Sequence, residues 1–171
     1  DKLGSMGLKL SEEKTKLTHW SQPVRFLGFE VQGRMRDKGV QIKAIFSIPA
    51  DKCERIRQEI QQVCGCHQIP EADAMARVSL VFRGWCNYYR FASAPQRTFS
   101  RLSYFAWWQF VRFLAYRHKT SVAEVIRRGK RSKRLRPITI QGRRVQTFTM
   151  DVGGKELVLN IVPPKSGSIW N

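Results

Sequence analysis

Between residues 24 and 48 the apolar positions fall into two short runs, VRFLGFEVQ and GVQIKAIFSI, rich in β-branched and aromatic side chains. The polar, glycine-containing GRMRDKG separates them, so the stretch reads as a β-hairpin. Pro49 ends the second strand and suits a first helical turn, where Asp51 favours the positive helix N-terminus. The period then changes from two to 3.6. Over about 50–64, Cys53, Ile56, Ile60, Val63 and Cys64 share one face, while Lys52, Arg55, Glu59 and Gln62 take the wet one. After the break GCHQIP, a second helix over about 71–91 carries the stripe Met75, Val78, Phe82, Cys86 and Tyr89. Gly84 within it costs about 1 kcal/mol relative to alanine, which predicts a close helix contact there.

A third helix, about 95–118, has two distinct faces. Phe99, Leu102, Ala106, Phe110 and Phe113 form a core stripe. The opposite side carries Arg101, Tyr104, Phe105, Trp108 and Arg112, and rings mixed with arginines are unusual on a solvent face. Two readings remain open for it: packing, with the arginines snorkelling at the rim, or stacking on bases and riboses. A short fourth helix spans 120–128, and a basic loop, GKRSKRLRP, follows. The rest alternates like short strands joined at QGRR and DVGGK, then ends in PPKSGSIWN, which reads as a disordered tail. At the other end, Asp1 to Leu8 reads as the end of a helix.

Charge changes the picture. The 171 residues hold 31 basic and 13 acidic side chains, a formal net charge of +18, which argues for a polyanionic partner. An aromatic content of 11% favours nucleic acid over a membrane surface. Between Lys119 and Arg144 ten basic residues face a single acid, Glu124. Lys119, Arg127, Arg128, Lys130, Arg131, Lys133, Arg134 and Arg136 are the candidate phosphate contacts of that run, joined upstream by Arg90 and Arg117. Binding through them is expected to fall steeply with salt, and the reversals Arg131→Glu and Arg134→Glu to weaken it. The bland alternative is a solvated linker.

Other chemistries find little support. CGCH (residues 64–67) has a C-x-C spacing and no second pair, so structural thiols are expected over a zinc site. No histidine accompanies a nucleophile motif, and no aspartate pair is placed for two metal ions, so no catalytic residue is assigned. With no secretory signal and no apolar run of about 18 residues, reduced thiols and no membrane partner are expected.

Three motifs then stand in a telling order. GLKLSEEKT (Gly7 to Thr15) ends in the pair Lys14–Thr15, FLGF spans Phe26 to Phe29, and GWCNYYR spans Gly84 to Arg90. With the Phe99/Leu102 pair and Arg117–His118, they resemble the last palm blocks and the thumb of group II intron reverse transcriptase/maturases over residues 7–119. The resemblance implies that Lys14 sits by the incoming nucleotide, and that Phe26, Leu27 and Gly28 lie near the primer terminus. Trp85, Asn87 and Tyr88 are fold determinants or RNA contacts. It also implies a YxDD-bearing palm upstream, with its Mg2+, so this chain is expected to be inactive alone. The tail lacks the closely spaced His, Asn and Cys of the family's HNH endonuclease.

The expected class is α+β, mainly α. Residues 1–48 would be a palm-edge remnant with its hairpin, 49–128 a helical thumb, and 129–171 a small β-rich appendage with a basic loop. The expected partners are intron RNA, template–primer duplex and the enzyme's own fingers and palm, in the bacterial cytoplasm or an organelle. A non-catalytic splicing cofactor is the alternative, and an unrelated basic protein of a ribonucleoprotein particle a third. If the first reading holds, FLGF lies on a hairpin with exposed apolar surface.

Overall fold

The computed structural model describes residues 6–7, 11, 16–36 and 41–163. Lys14 and most of GLKLSEEKT, the expected first helix end and the tail beyond Pro163 therefore lie outside the described residues. The chain divides into two compact units, Asp1–Phe46 and Ser47–Asn171.

The first unit is an antiparallel-edged sheet of three strands in the order β1-β2-β3: β1 Val24–Phe26, β2 Phe29–Arg36 and β3 Gln41–Ser47. The expected first strand of the hairpin is thus two strands. Leu27 (φ 45°) and Gly28 (φ 75°) form a two-residue turn that pairs Phe26 with Phe29. Positive φ at both positions matches the right-handed twist of the flanking strands, and only Gly28 adopts it freely. β2 also runs on through Gly33, Arg34 and Met35, residues expected in the loop. Gly33 has a steric reason to be there: a Cβ would meet the Trp20 ring at 2.8 Å and its carbonyl oxygen at 3.0 Å.

In the second unit four helices follow: α1 Ala50–Gly65, α2 Glu71–Tyr89, α3 Gln96–Arg117 and α4 Val122–Arg131. Prolines 49, 70 and 95 occupy the N-cap positions of the first three. The predicted stripes of α2 and α3 are buried throughout, and Ile56, Ile60 and Cys64 bury α1 against them. Gly84 is an exception to the expected packing. It is exposed, and nothing lies within 4 Å of where its Cβ would be. α4 extends through Gly129, Lys130 and Arg131, so part of the expected basic loop is helical.

Three antiparallel strands close the unit: β4 Leu135–Ile140, β5 Arg143–Val152 and β6 Lys155–Val158, in that order across the sheet. Their turns, Gln141–Gly142 and Gly153–Gly154, have positive φ at both residues, as QGRR and DVGGK predict. This sheet is built into the helical unit. Phe148 on β5 is buried against Phe110 of α3, with ring centroids 5.9 Å apart, and near Trp107 at 6.2 Å. Leu159, Ile161 and Val162 continue as a buried strap. Ser79 Oγ on α2 accepts from Asn160 N at 2.9 Å, and Ser103 Oγ on α3 donates to the Ile161 carbonyl at 2.8 Å. Alternating hydropathy predicts such strands but is silent about what covers them, and here the cover is α2, α3 and α4.

Candidate nucleic-acid interface

The mixed face of α3 is both packed and displayed. Arg101, Tyr104 and Arg112 are exposed, whereas Phe105 and Trp108 are half-buried. On one flank the Arg57 guanidinium of α1 sits 5.9 Å from the Phe105 ring centroid. On the other, Tyr104, Trp107 and Trp108 line a groove of about 430 Å³ against β5 and the strap. Tyr104 meets Trp108 edge-on at 5.9 Å, and Trp107 meets Trp108 edge-on at 4.9 Å. The packing reading holds for Phe105 and Trp108, which have protein neighbours, while Tyr104 keeps 67% of its surface open.

The basic run divides into spent and unspent charges. Ser121 caps α4 by accepting from Glu124 N at 3.2 Å. Glu124 in turn is forked between two arginines, accepting from Arg127 Nε at 2.7 Å and from Arg128 Nε at 2.6 Å. Those hydrogen bonds hold its carboxyl down at about 2. One carboxylate against two guanidinium groups leaves net positive charge. One turn on, Lys130, Arg131 and Lys133 are exposed, and their side chains have no hydrogen bond or ion pair among the described residues. Lys130 and Arg131 end the helix at its negative pole, which favours cations there.

Arg117, Arg134 and Arg136 are spent on the fold. Arg117 donates to the carbonyls of His67 at 2.9 Å and Ile69 at 2.7 Å, tying the end of α3 to the α1–α2 loop. Glu71, in the first turn of α2, gathers three partners: Arg134 Nη2 at 2.9 Å, His118 Nε2 at 2.7 Å and Arg117 Nε at 3.8 Å. Arg136 pairs with Glu156. These groups border a groove of about 860 Å³ whose wall also carries Lys133 and Asp151. Lys119 follows α3 in an exposed, left-handed position (φ 47°). Arg90 is exposed, its guanidinium 4.4 Å from the Phe91 ring centroid.

GWCNYYR folds as the end of α2. Trp85 packs on Tyr89 at 4.6 Å and on Phe99 at 6.0 Å, and Cys86 is buried. Asn87 and Tyr88 point to solvent.

Residues 53–135 match the model of the Group II intron, maturase-specific domain. This chain carries a group II intron maturase-specific domain. The Group II intron-encoded protein LtrA of Lactococcus lactis subsp. cremoris is 26% identical over 146 residues, covering 70% of this chain and 24% of that protein. The LtrA of strain MG1363 matches to the same extent. The chain thus spans about a quarter of the length of these curated relatives.

The maturase domain runs from the first turn of α1 to the first residue of β4 and contains GWCNYYR, the α3 face and α4. Two of its thiols, Cys64 and Cys86, lie in the core. Burial pushes Cys64 and Cys86 up to about 12, and no cluster of three or more His, Cys, Asp or Glu among the described residues is placed to hold a metal ion. His67 of CGCH stacks instead on Tyr116 at 3.8 Å. No helix among the described residues is long and apolar enough to cross a membrane.

Three features of the interface were not singled out by the sequence. Glu71 looked like an ordinary first-turn acid, although position alone marks it as favourable to a helix N-terminus. Trp107 falls between the two faces of α3. Arg143 stood in the basic count, but its place opposite α3 depends on how β5 docks.

In the first unit Phe26 and Leu27 flank and form the β1–β2 turn and are 61% and 70% exposed. Gly28 completes that turn. Val24, Met35 and Ile42 are also open to solvent, so this sheet does carry exposed apolar surface.

Proposed function

We propose that this chain is the palm-edge and thumb portion of a group II intron-encoded reverse transcriptase/maturase, which grips intron RNA and the template–primer duplex. The maturase-specific domain and the similarity to proteins named as group II intron-encoded support the family part of this reading. The single observation that carries the binding part is the cluster Lys130, Arg131 and Lys133, exposed, unpaired among the described residues and set at the end of a helix. Solvent-exposed cations with no internal partner are free to displace the counterions condensed on a phosphate backbone. Arg101 and Arg112, equally unpaired, extend the positive surface along α3.

The exposed apolar face around Phe26 and Leu27 is where the upstream palm of the same enzyme would pack, with its Mg2+ and the polymerase chemistry. Leucine seldom accepts a positive φ, and such strain gathers at functional sites, which suits a turn near the primer terminus. Lys14 belongs to the same proposed grip.

The test is a filter-binding titration of this chain with a group II intron RNA. Lys130→Glu, Arg131→Glu and Lys133→Glu together weaken binding, and each lost phosphate contact lowers the salt slope by roughly 0.7–0.9. Unchanged affinity and slope would reject the cluster as the contact. The alternative, a splicing cofactor without polymerisation, draws on the compactness of Ser47–Asn171 as a unit. It requires that the chain by itself stimulate splicing of its intron.

A further inference from the structure

We propose that the groove between α3 and β5 is a stacking site for one unpaired nucleotide of a bound RNA. The proposal rests on the RNA-binding reading above and names what this face takes. Four observations carry it. The groove measures about 430 Å³, within the roughly 300–1,000 Å³ range of small-ligand sites. Its floor and wall are aromatic: Trp107 and Trp108 are half-buried and held edge-on to each other, so their rings are fixed before any ligand arrives. Tyr104 meets Trp108 edge-on at 5.9 Å and is 67% exposed, so it carries the aromatic surface out towards solvent. Arg143 and Gln146 of β5 form the far rim, both exposed and without a side-chain partner among the described residues.

The chemistry of this lining selects a nucleotide. Among the described residues no acid borders the groove, in contrast to the salt-bridged groove beside Glu71, where Asp151 and Glu156 also stand. An aromatic face accepts any base by stacking, Arg143 suits the neighbouring phosphate, and the Gln146 amide offers both a donor and an acceptor to a base edge. A base locked in a duplex has no free face to offer, so the site discriminates unpaired from paired RNA.

The experiment compares two probes against the whole chain, a single-stranded adenosine decamer and a blunt RNA duplex of equal phosphate number. Tyr104→Ala lowers affinity for the decamer about 5-fold or more, the lower end of a stacked base's worth, and leaves duplex affinity unchanged. Tyr104→Phe, which keeps the ring, restores decamer binding, and the decamer quenches tryptophan fluorescence in the wild type. The exposure of Tyr104 makes both variants compatible with folding, and circular dichroism checks this. Equal loss on both probes, or no loss on either, overturns the stacking site while leaving the basic cluster standing. If neither probe binds even at low salt, and reversing Lys130, Arg131 and Lys133 changes nothing, the RNA-binding reading itself falls.

Discussion

Arg134 reaches across 63 positions of sequence to donate from Nη2 to Glu71 Oε2 at 2.9 Å, so an arginine of the basic run is a fastener of the fold. Glu71 also lies against the end of α3, 2.7 Å from His118 Nε2 and 3.8 Å from Arg117 Nε, which places one carboxylate where α2, α3 and the segment before β4 meet. Removing Glu71 takes the shared acid from Arg117 and Arg134 at once, whereas removing Arg134 leaves Glu71 with Arg117 and His118.

Glu71→Gln is expected to lower stability by about 2 kcal/mol, the scale of a hydrogen bond between charged groups. Arg134→Glu goes further, because it sets a second carboxylate against Glu71. In urea denaturation both variants shift the midpoint down with an unchanged slope. Any loss of RNA affinity in Arg134→Glu then follows the folded fraction, whereas the Arg131→Glu midpoint stays at the wild-type value. A wild-type midpoint for Glu71→Gln would show that the ion-pair cluster contributes nothing.

Two helical glycines make opposite predictions. A Cβ on Gly129 would lie 3.0 Å from Leu135 Cβ and 3.1 Å from Phe148 Cε1, so Gly129→Ala separates α4 from the sheet. Overpacking of that kind costs about 1–3 kcal/mol, which matches or exceeds the roughly 1 kcal/mol gained in helix propensity. Gly84→Ala meets nothing within 4 Å and should gain the propensity outright. Thermal unfolding is expected to show a higher Tm for Gly84→Ala and a lower one for Gly129→Ala.

The four thiols should separate by reactivity. Cys66 is exposed and reacts first with an aromatic disulfide reagent. Cys53 follows, its thiol raised by burial despite the nearby Arg57. Cys64 and Cys86 are buried and lifted to about 12, so they react only when the unit opens. Four equally fast thiols in the native state would contradict this packing.

Acid should act on α4 through Glu124. Its folded value of about 2 lies below the ordinary 4.5, so its contribution is complete above about 4.5 and is lost as pH falls towards 2. The group lies at the surface, half-covered by its two arginines, and screening keeps the effect small. Carboxyl NMR should place its midpoint well below the ordinary 4.5. Glu124→Gln should flatten the acid limb of the stability profile, and salt should shrink the difference.

Much of this was legible in the chain. The period of 3.6 located α1, α2 and α3 within two residues, because each buries one stripe and the stripe repeats with the helix. Gly142 and the pair Gly153–Gly154 announced their hairpins, since glycine adopts the positive φ of such turns freely. FLGF was read as part of one strand because Phe26, Leu27 and Phe29 are all apolar. Only backbone pairing reveals that Leu27 turns the chain.

Sequence by itself determined the charge, the helical stripes, the turn chemistry and the order of motifs that marks the family, for these are local or additive properties. Tertiary structure decided which cations remain free. Arg117, Arg134 and Arg136 are indistinguishable from Lys130, Arg131 and Lys133 in a string of letters, yet the first three meet Glu71, Glu156 or backbone carbonyls, and the others meet solvent. It likewise decided that Trp107, Trp108 and Tyr104 face Arg143 across a groove, because that meeting depends on Phe148 anchoring β5 beside α3. Partners separated by tens of residues are chosen by packing, and no local pattern encodes that choice.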